Sequence, residues 1–593
     1  MSEPYRGGGQ DAAGLLAQLP VAVLGAGTMG RGIAQLLLQA GADVVLVDPQ
    51  AEALSRARAA LNDTFSMLAA KGRLNAAPTE LLARLTTSTE VHAVAAASWV
   101  FEAAPEQLTL KQELFQRVEE VAPGARLATN TSTLPVTEIA AACRRPQNVV
   151  GVHFFNPAPL MRLVEVVPGL ETPASLTDDA VALARALGRE PVVARDRPGF
   201  IVNRVARPFY GEALRLAGEG AATQELAAVM RAAGFPMGPF ELLDLIGLDV
   251  NLAATTNVYE AFFHAPRYHP HPLQRSLVTA GRLGVKTGRG FYHYDSAGRR
   301  QEEPGARPDA PRTPAASTPK VAVLGATAAA RVLRAYLEQR APGVLVTSAA
   351  PNAHVPSEPV DLIIDARLPL AAKASGATLP AGAPATLPAP CRLALCWAHS
   401  ASALGSAAGA STIGFSFLPS PADLAGRQRP GEGAGDSSAA PLLELLEPVT
   451  GAAAELARAK ELLAQLGIAA VTPPDQAGGG AFRIFALLVN EAVSAVAERL
   501  ATPEHVDLAM RLGVNYPAGP LEWAERVGLA DVLSALEGLH AEVGAERFAP
   551  QPLLRRMVAA GAERFAQLAT FGPGTEAAPE ATQPAMRTGR SSR

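Results

Sequence analysis

Cysteine is scarce: only Cys143, Cys391 and Cys396 occur in 593 residues. So odd and sparse a set excludes a disulfide framework and suits reduced thiols in a cytosolic protein. No CxxC and no His/Cys cluster with metal-ligand spacing is present, so no metal site is expected. Charged residues are only 18% of the chain, the net charge is −4, and no dense Lys/Arg cluster occurs. A nucleic-acid surface is therefore not expected. Long apolar runs are also missing. None reaches the roughly 18 residues of a membrane-spanning helix. The first nineteen residues lack the charged start and long apolar core of a signal peptide, and read as a loose tail.

What is present is apolar filling. At 48% apolar residues, the chain is composed like a well-packed globular protein. At roughly 150 residues per domain, its length implies about four domains.

The first motif is VAVLGAGTMGRGIAQLLLQAGADVVLVD, Val21 to Asp48. A short apolar strand enters Gly25-Ala26-Gly27-Thr28-Met29-Gly30, and an apolar-periodic helix and a second strand follow. The glycines permit a tight turn and close approach of backbone to a pyrophosphate at the helix N-terminus. Asp48 lies 21 residues after Gly27, where an acid would bond a ribose 2′-hydroxyl and repel a 2′-phosphate. The pattern predicts a Rossmann domain binding NAD rather than NADP.

A second stretch, GVHFFNPAPLMRLVEVV, holds His153 at the end of one apolar strand and Glu165 inside the next. A lone carboxylate among Leu163, Val164, Val166 and Val167 would be costly to bury. The histidine is its nearest partner in sequence. From Gly199 the pattern turns helical, and Ser296 to Pro319 is rich in proline and charge.

Beyond that stretch the chain repeats itself. KVAVLGATAAARVLRAYL from Lys320 copies the opening unit, with Thr327 and Ala330 in place of Gly27 and Gly30. TIGFSFLPS mirrors VVGVHFFNP, placing Ser416 for His153, and LLELLEP mirrors LVEVVPG, placing Glu444 for Glu165. Asn203 becomes Phe482. The expected organisation is a tail (1–19), a Rossmann domain (20–198), an all-α domain (199–296), a linker (297–319), a degenerate Rossmann-like domain (320–475), a second helical domain (476–571) and a polar tail (572–593). Gly426 to Ala440 also reads as unstructured.

Taken together, GAGTMGRGIA, NTSTLPVTEIA, GVHFFNPAPLMRLVEVV, RPGFIVNR, PMGPFELLDLIGLD and KTGRGFYHY resemble the 3-hydroxyacyl-CoA dehydrogenase family. The resemblance is full over residues 20 to 296 and degenerate over 320 to 565. The layout is similar to the long bacterial members of the phenylacetate-degradation type, which act on 3-hydroxybutyryl- or 3-hydroxyadipyl-CoA. It implies His153 as base in oxidation and acid in reduction, with Glu165 holding the imidazole. It implies Ser132 and Asn203 as donors at the reacting centre. Glu106, Lys111, Ser132 and Lys286 match cofactor-contacting positions, and Thr64, Lys71 and Ser132 match positions holding the CoA substrate. The second copy, lacking these groups, is expected neither to bind NAD in the usual way nor to catalyse. It could instead supply the helical partner of a family dimer within one chain, as an intramolecular pseudo-dimer. A homodimer of whole chains remains open. Two rivals stay open as well: a β-hydroxyacid dehydrogenase of the 6-phosphogluconate type, which uses a lysine, and a non-catalytic NAD- or CoA-binding protein. The acyl chain is not legible. An adipyl pocket would need an added cation, and the sequence alone does not place one.

Overall fold

The computed structural model describes residues 20–301, 319–340, 360–368, 391–408, 412–425 and 440–568. The two expected tails, most of the linker and nearly all of Gly426 to Ala440 lie outside the described residues.

Eight strands form the first sheet: β1 (Val21–Leu24), β2 (Val44–Val47), β3 (Leu85–Ser88), β4 (Trp99–Glu102), β5 (Arg126–Thr129), β6 (Val149–Phe154), β7 (Leu163–Pro168) and β8 (Glu190–Val193). Their order is β3-β2-β1-β4-β5-β6-β7-β8. All neighbours are parallel except β6 and β7. The four residues of β1 are buried, as a parallel strand covered on both faces requires. Chain order reverses between β1 and β4, which opens a crevice at their carboxyl ends where a dinucleotide binds.

The later half repeats this plan. β9 (Val321–Leu324), β10 (Leu362–Asp365), β11 (Cys391–Leu395), β12 (Ile413–Ser416), β13 (Leu442–Leu446) and β14 (Ala469–Val471) form a second sheet in the order β14-β13-β12-β11-β10-β9. It too has one antiparallel pair, β12 with β13, which sets Ser416 opposite Glu444. Among the described residues no strand lies beyond β9, where β2 in the first sheet leads to Asp48.

A helical domain follows each sheet, and the two pack on one another. Helix Arg207–Gly218 of the first lies against helix Ala481–Ala497 of the second. Every residue from Ala481 to Val496 is buried, as expected for a helix apolar on nearly all sides at the centre of a core. The fold is a Rossmann domain with a helical domain, followed by a second sheet and helices. No described helix is long and apolar enough to cross a membrane.

One boundary differs from expectation. Residues 297–301, assigned to the linker, still belong to the first helical domain. A turn brings Arg300 back to Tyr294, stacks its guanidinium 3.8 Å from the Tyr292 ring centroid, and pairs it with Glu241. The charges that made this stretch read as solvated are partly paired.

Candidate active site

The glycine turn sits at the switch point. Gly25 adopts φ +99°, and a Cβ there would lie 2.7 Å from the Ala103 carbonyl at the end of β4. A Cβ on Gly30 would come within 1.9 Å of the Gly25 carbonyl, so the turn closes only without side chains. Gly27, by contrast, is exposed and has nothing within 4 Å of a Cβ. Its backbone is open to a ligand at the start of helix Thr28–Gln39, whose first residues are Thr28 and Met29. Asp48 Oδ2 accepts from the Ala26 N–H at 2.8 Å, which ties the acid at the end of β2 to the turn. These residues fit NAD: an open helix N-terminus for the pyrophosphate and an acid beside it for the ribose.

His153 and Glu165 are cross-strand partners in β6 and β7. His153 Nδ1 lies 2.8 Å from Glu165 Oε2. Glu165 is fully buried, and its other oxygen accepts from the N–H groups of Ile201 and Val202 at 2.9 and 3.0 Å. The carboxylate therefore holds the imidazole with one oxygen and the first turn of the helical domain with the other. The shared carboxylate orients Nδ1 as a donor and leaves Nε2 free to exchange a proton with a substrate. The Phe155 and Phe200 rings flank the histidine.

Ser132 and Asn203 meet at the same place. Asn203 Nδ2 donates to the Ser132 carbonyl at 3.3 Å, from the helical domain to the loop after β5. Glu106 Oε1 accepts from the backbone N–H groups of Ser132 and Thr133, both at 2.9 Å, and from the Thr131 hydroxyl at 2.8 Å. Burial acts against the charged form of Glu106, but Lys111 and these donors together hold its carboxyl below the ordinary range. Ser132, Glu106 and Asn203 are thus bonded together where the two domains meet, and Glu165, with His153, is tied to the backbone of Ile201 and Val202 next to Asn203.

Of the other expected contacts, Lys111 adjoins the site through Glu106, whereas Lys286, Thr64 and Lys71 make no bond to it. Lys111 is buried, its ammonium spent on Glu102 at 2.8 and 3.0 Å and on the Ala104 carbonyl, with Glu106 at 3.4 Å. It thereby positions Glu106. Lys286 pairs with Asp249 at 2.6 Å in the helical domain and bonds to none of the cleft residues. Thr64 bonds back to the Ala60 carbonyl within its own helix, and Lys71 caps that helix in solvent. Neither is tied to the site. Sequence reasoning passed over three residues. Glu102, at the end of apolar strand β4, carried the same signal as Glu165 and anchors Lys111. Asn130 accepts from the Phe154 N–H at 2.8 Å and so fixes the strand end beside His153. Asn257 reaches the Thr133 hydroxyl at 3.3 Å from a helix whose pattern gave no hint of it.

The equivalent place in the second half is filled. Strand register aligns Trp397 with Ser132, and the helical alignment puts Phe482 at Asn203. The two rings stack with centroids 4.0 Å apart and an interplanar angle of 10°. Both are fully buried. Where the first cleft has hydrogen-bonding groups, the second has a packed aromatic pair. Glu444 keeps the role of Glu165 toward the backbone, accepting from Gly480 and Ala481, but Ser416 gives it no imidazole.

A dinucleotide turn at a switch point, with a buried His–carboxylate pair in the adjoining interdomain cleft, defines an NAD-dependent dehydrogenase. Residues 20–197 match the family model for the 3-hydroxyacyl-CoA dehydrogenase NAD-binding domain, and residues 199–294 and again 481–571 match its C-terminal domain. The chain is 36% identical over 541 residues to the 3-hydroxyadipyl-CoA dehydrogenase of Escherichia coli, covering 90% of this chain and 96% of that one. It is 39% identical over 275 residues to a probable 3-hydroxybutyryl-CoA dehydrogenase of Deinococcus radiodurans, covering 46% of this chain and 99% of the relative. A crystal structure of 3-hydroxybutyryl-CoA dehydrogenase from Escherichia coli superposes with a TM-score of 0.72 at 33% identity, over 91% of this chain and 98% of that one. The chain belongs to the 3-hydroxyacyl-CoA dehydrogenase family.

Proposed function

We propose that this protein oxidises (S)-3-hydroxyacyl-CoA to 3-oxoacyl-CoA with NAD at a single site, the cleft between the first Rossmann domain and the first helical domain. The observation that carries the reading is the 2.8 Å pairing of His153 Nδ1 with buried Glu165, which leaves Nε2 for the substrate. His153 removes the C3 hydroxyl proton, and Glu165 stabilises the imidazolium that forms. Ser132 and Asn203 donate to the substrate oxygens and hold C3 in place. Bound at the glycine turn, NAD supplies the hydride acceptor. Thr64 and Lys71 are assigned to the CoA moiety by resemblance alone, and an exposed lysine suits its phosphate. The lysine-dependent alternative is disfavoured by the His153–Glu165 pair and by the family match.

The second unit is read as a degenerate duplicate serving as an internal helical partner, so that one chain forms a pseudo-dimer. Its role is supported by the packing of helix Ala481–Ala497 on the first helical domain. Pairing of whole chains into a homodimer is a separate possibility that sedimentation would reveal. The cellular setting we propose is the cytoplasm, in β-oxidation-type breakdown of fatty or aromatic acids such as phenylacetate. The motif resemblance supports the pathway, and free, buried cysteines suit a reducing compartment. The test is NADH oxidation by the purified full chain with 3-oxoacyl-CoAs of increasing length. Turnover supports the reading. Binding of NADH without turnover of any 3-oxoacyl-CoA would overturn it.

A further inference from the structure

Among the described residues three arginines are buried: Arg204, Arg207 and Arg483. Arg204 is paired with Glu491 and Glu498, and Arg483 with Glu212. Arg207 has no carboxylate. Its Nη1 donates to the Thr255 hydroxyl at 2.9 Å, its Nη2 makes a long 3.4 Å contact with Asn203 Oδ1, and its Nε is buried without a partner. Tyr210 lies under the guanidinium, 5.3 Å from it to the ring centroid. Tyr516, from the second unit, is also near enough to act on its charge, and its hydroxyl is likewise buried and unpartnered. Burial raises both phenols, so neither supplies a negative charge. A buried cation without a counter-ion is costly and is rarely kept without use.

The repeat sharpens the point. In the alignment that sets Asn203 on Phe482, Arg207 corresponds to Ala486, and Tyr516 corresponds to Phe235. Phe235 and Tyr516 meet edge-on with centroids 5.0 Å apart. The polar pair, Arg207 with Tyr516, therefore accompanies only the intact unit. The degenerate one has alanine and phenylalanine instead. Arg207 is one helical turn from Asn203, and in a six-carbon dicarboxylic acyl group only three C–C bonds, roughly 4 Å, separate C3 from the far carboxyl carbon.

We propose that Arg207, with Tyr516 of the second unit, receives the terminal carboxylate of a dicarboxylic 3-hydroxyacyl-CoA. The substrate then supplies the counter-ion that the protein omits, in a charge-assisted and bidentate geometry suited to guanidinium. The second unit thereby contributes to specificity without catalysing. This rests on the dehydrogenase reading above and narrows its substrate.

The test compares kcat/KM for 3-hydroxyadipyl-CoA and 3-hydroxyhexanoyl-CoA, which match in length and differ in the terminal group. The full-length wild type should prefer the dicarboxylate by on the order of 10²-fold or more. Arg207→Met should abolish or invert that ratio, and the near-isosteric Tyr516→Phe should lower it several-fold. The proposal is overturned if the wild type shows no preference, or if Arg207→Met lowers both values in proportion. Should Arg207→Met fail to fold, an unchanged ratio in Tyr516→Phe overturns the shared pocket by itself. Turnover of the hexanoyl substrate without carboxylate preference sinks only this inference. Turnover of neither sinks the dehydrogenase reading as well.

Discussion

Arg204 and Glu491 stand 287 positions apart in the chain and meet at 2.7 Å in its interior. Arg204 lies beside Asn203 in the first helical domain, and Glu491 lies on the central helix of the second. The relationship has a mirror image: Arg483, which corresponds to Arg204, meets Glu212, which corresponds to Glu491, at 2.6 Å. The flanking groups repeat too. Arg267 lies 3.4 Å from Glu491, and its counterpart Arg547 donates to Glu212 at 2.8 Å. The two ion pairs occupy equivalent positions exchanged between the helical units, a pattern that fits the pseudo-dimer proposed above.

Because both partners are buried, breaking one pair leaves a charge without compensation. Arg204→Met is expected to cost about 3–5 kcal/mol. Chemical denaturation should show it as a lower midpoint for the helical units. An unchanged midpoint would mean that the pair sets orientation and adds nothing to stability. Since Arg204 adjoins Asn203, a shift in the pair should also raise KM for the acyl-CoA.

At the proposed catalytic pair, His153→Ala should lower kcat by roughly 10²–10⁴-fold. The glycine turn and Asp48 are untouched by that change, so the affinity for NADH, measured by fluorescence titration, should hold. Loss of NADH binding in parallel with kcat would assign His153 to the framework. Glu165→Gln should reduce kcat as well, since an amide no longer balances an imidazolium.

The His153–Glu165 pair was legible because a carboxylate inside an apolar strand needs a buried partner, and His153, twelve residues earlier, was the nearest one in sequence. The glycine turn and Asp48 were legible for a similar local reason. The pairs Arg204–Glu491 and Arg483–Glu212 were not, because nothing local marks partners so far apart. The burial of Lys111 was not legible either. A lysine on an amphipathic helix ordinarily reaches solvent or a ligand, and only the tertiary fold shows Glu102 drawing it inward. Arg207 escaped notice within an unremarkable helix start, since a missing counter-ion is visible only once every neighbour is placed.

The second cleft should resist restoration. Ser416→His would put an imidazole beside Glu444, but Trp397 and Phe482 occupy the space of Ser132 and Asn203. In a background lacking His153, Ser416→His should give no detectable 3-hydroxyacyl-CoA oxidation. Phe482→Ala should instead cost about 3–5 kcal/mol, the price of a buried aromatic cavity. Recovery of turnover in the double variant would show that the second cleft can still admit substrate.

Glu444 has kept its backbone bonds but has no imidazole beside it, and its burial makes stability depend on pH. Burial, with Glu225 adding repulsion, outweighs the N–H donors of Gly480 and Ala481 and raises its carboxyl from 4.5 to about 7. A carboxyl raised in the folded state binds its proton there more tightly than in the unfolded chain. Between these two values the folded form holds the extra proton, so raising pH favours unfolding. Below about 4.5 the penalty is absent, and above about 7 it is complete, on the order of 3 kcal/mol. Glu444→Gln cannot ionise. Its stability relative to wild type should therefore rise by a few kcal/mol between about pH 5 and about pH 8. Any fixed cost of placing an amide against the Ala481 N–H is the same at both pH values and cancels in the comparison. Thermal unfolding of both proteins at the two pH values decides it, and parallel melting curves would show that Glu444 does not titrate in this range.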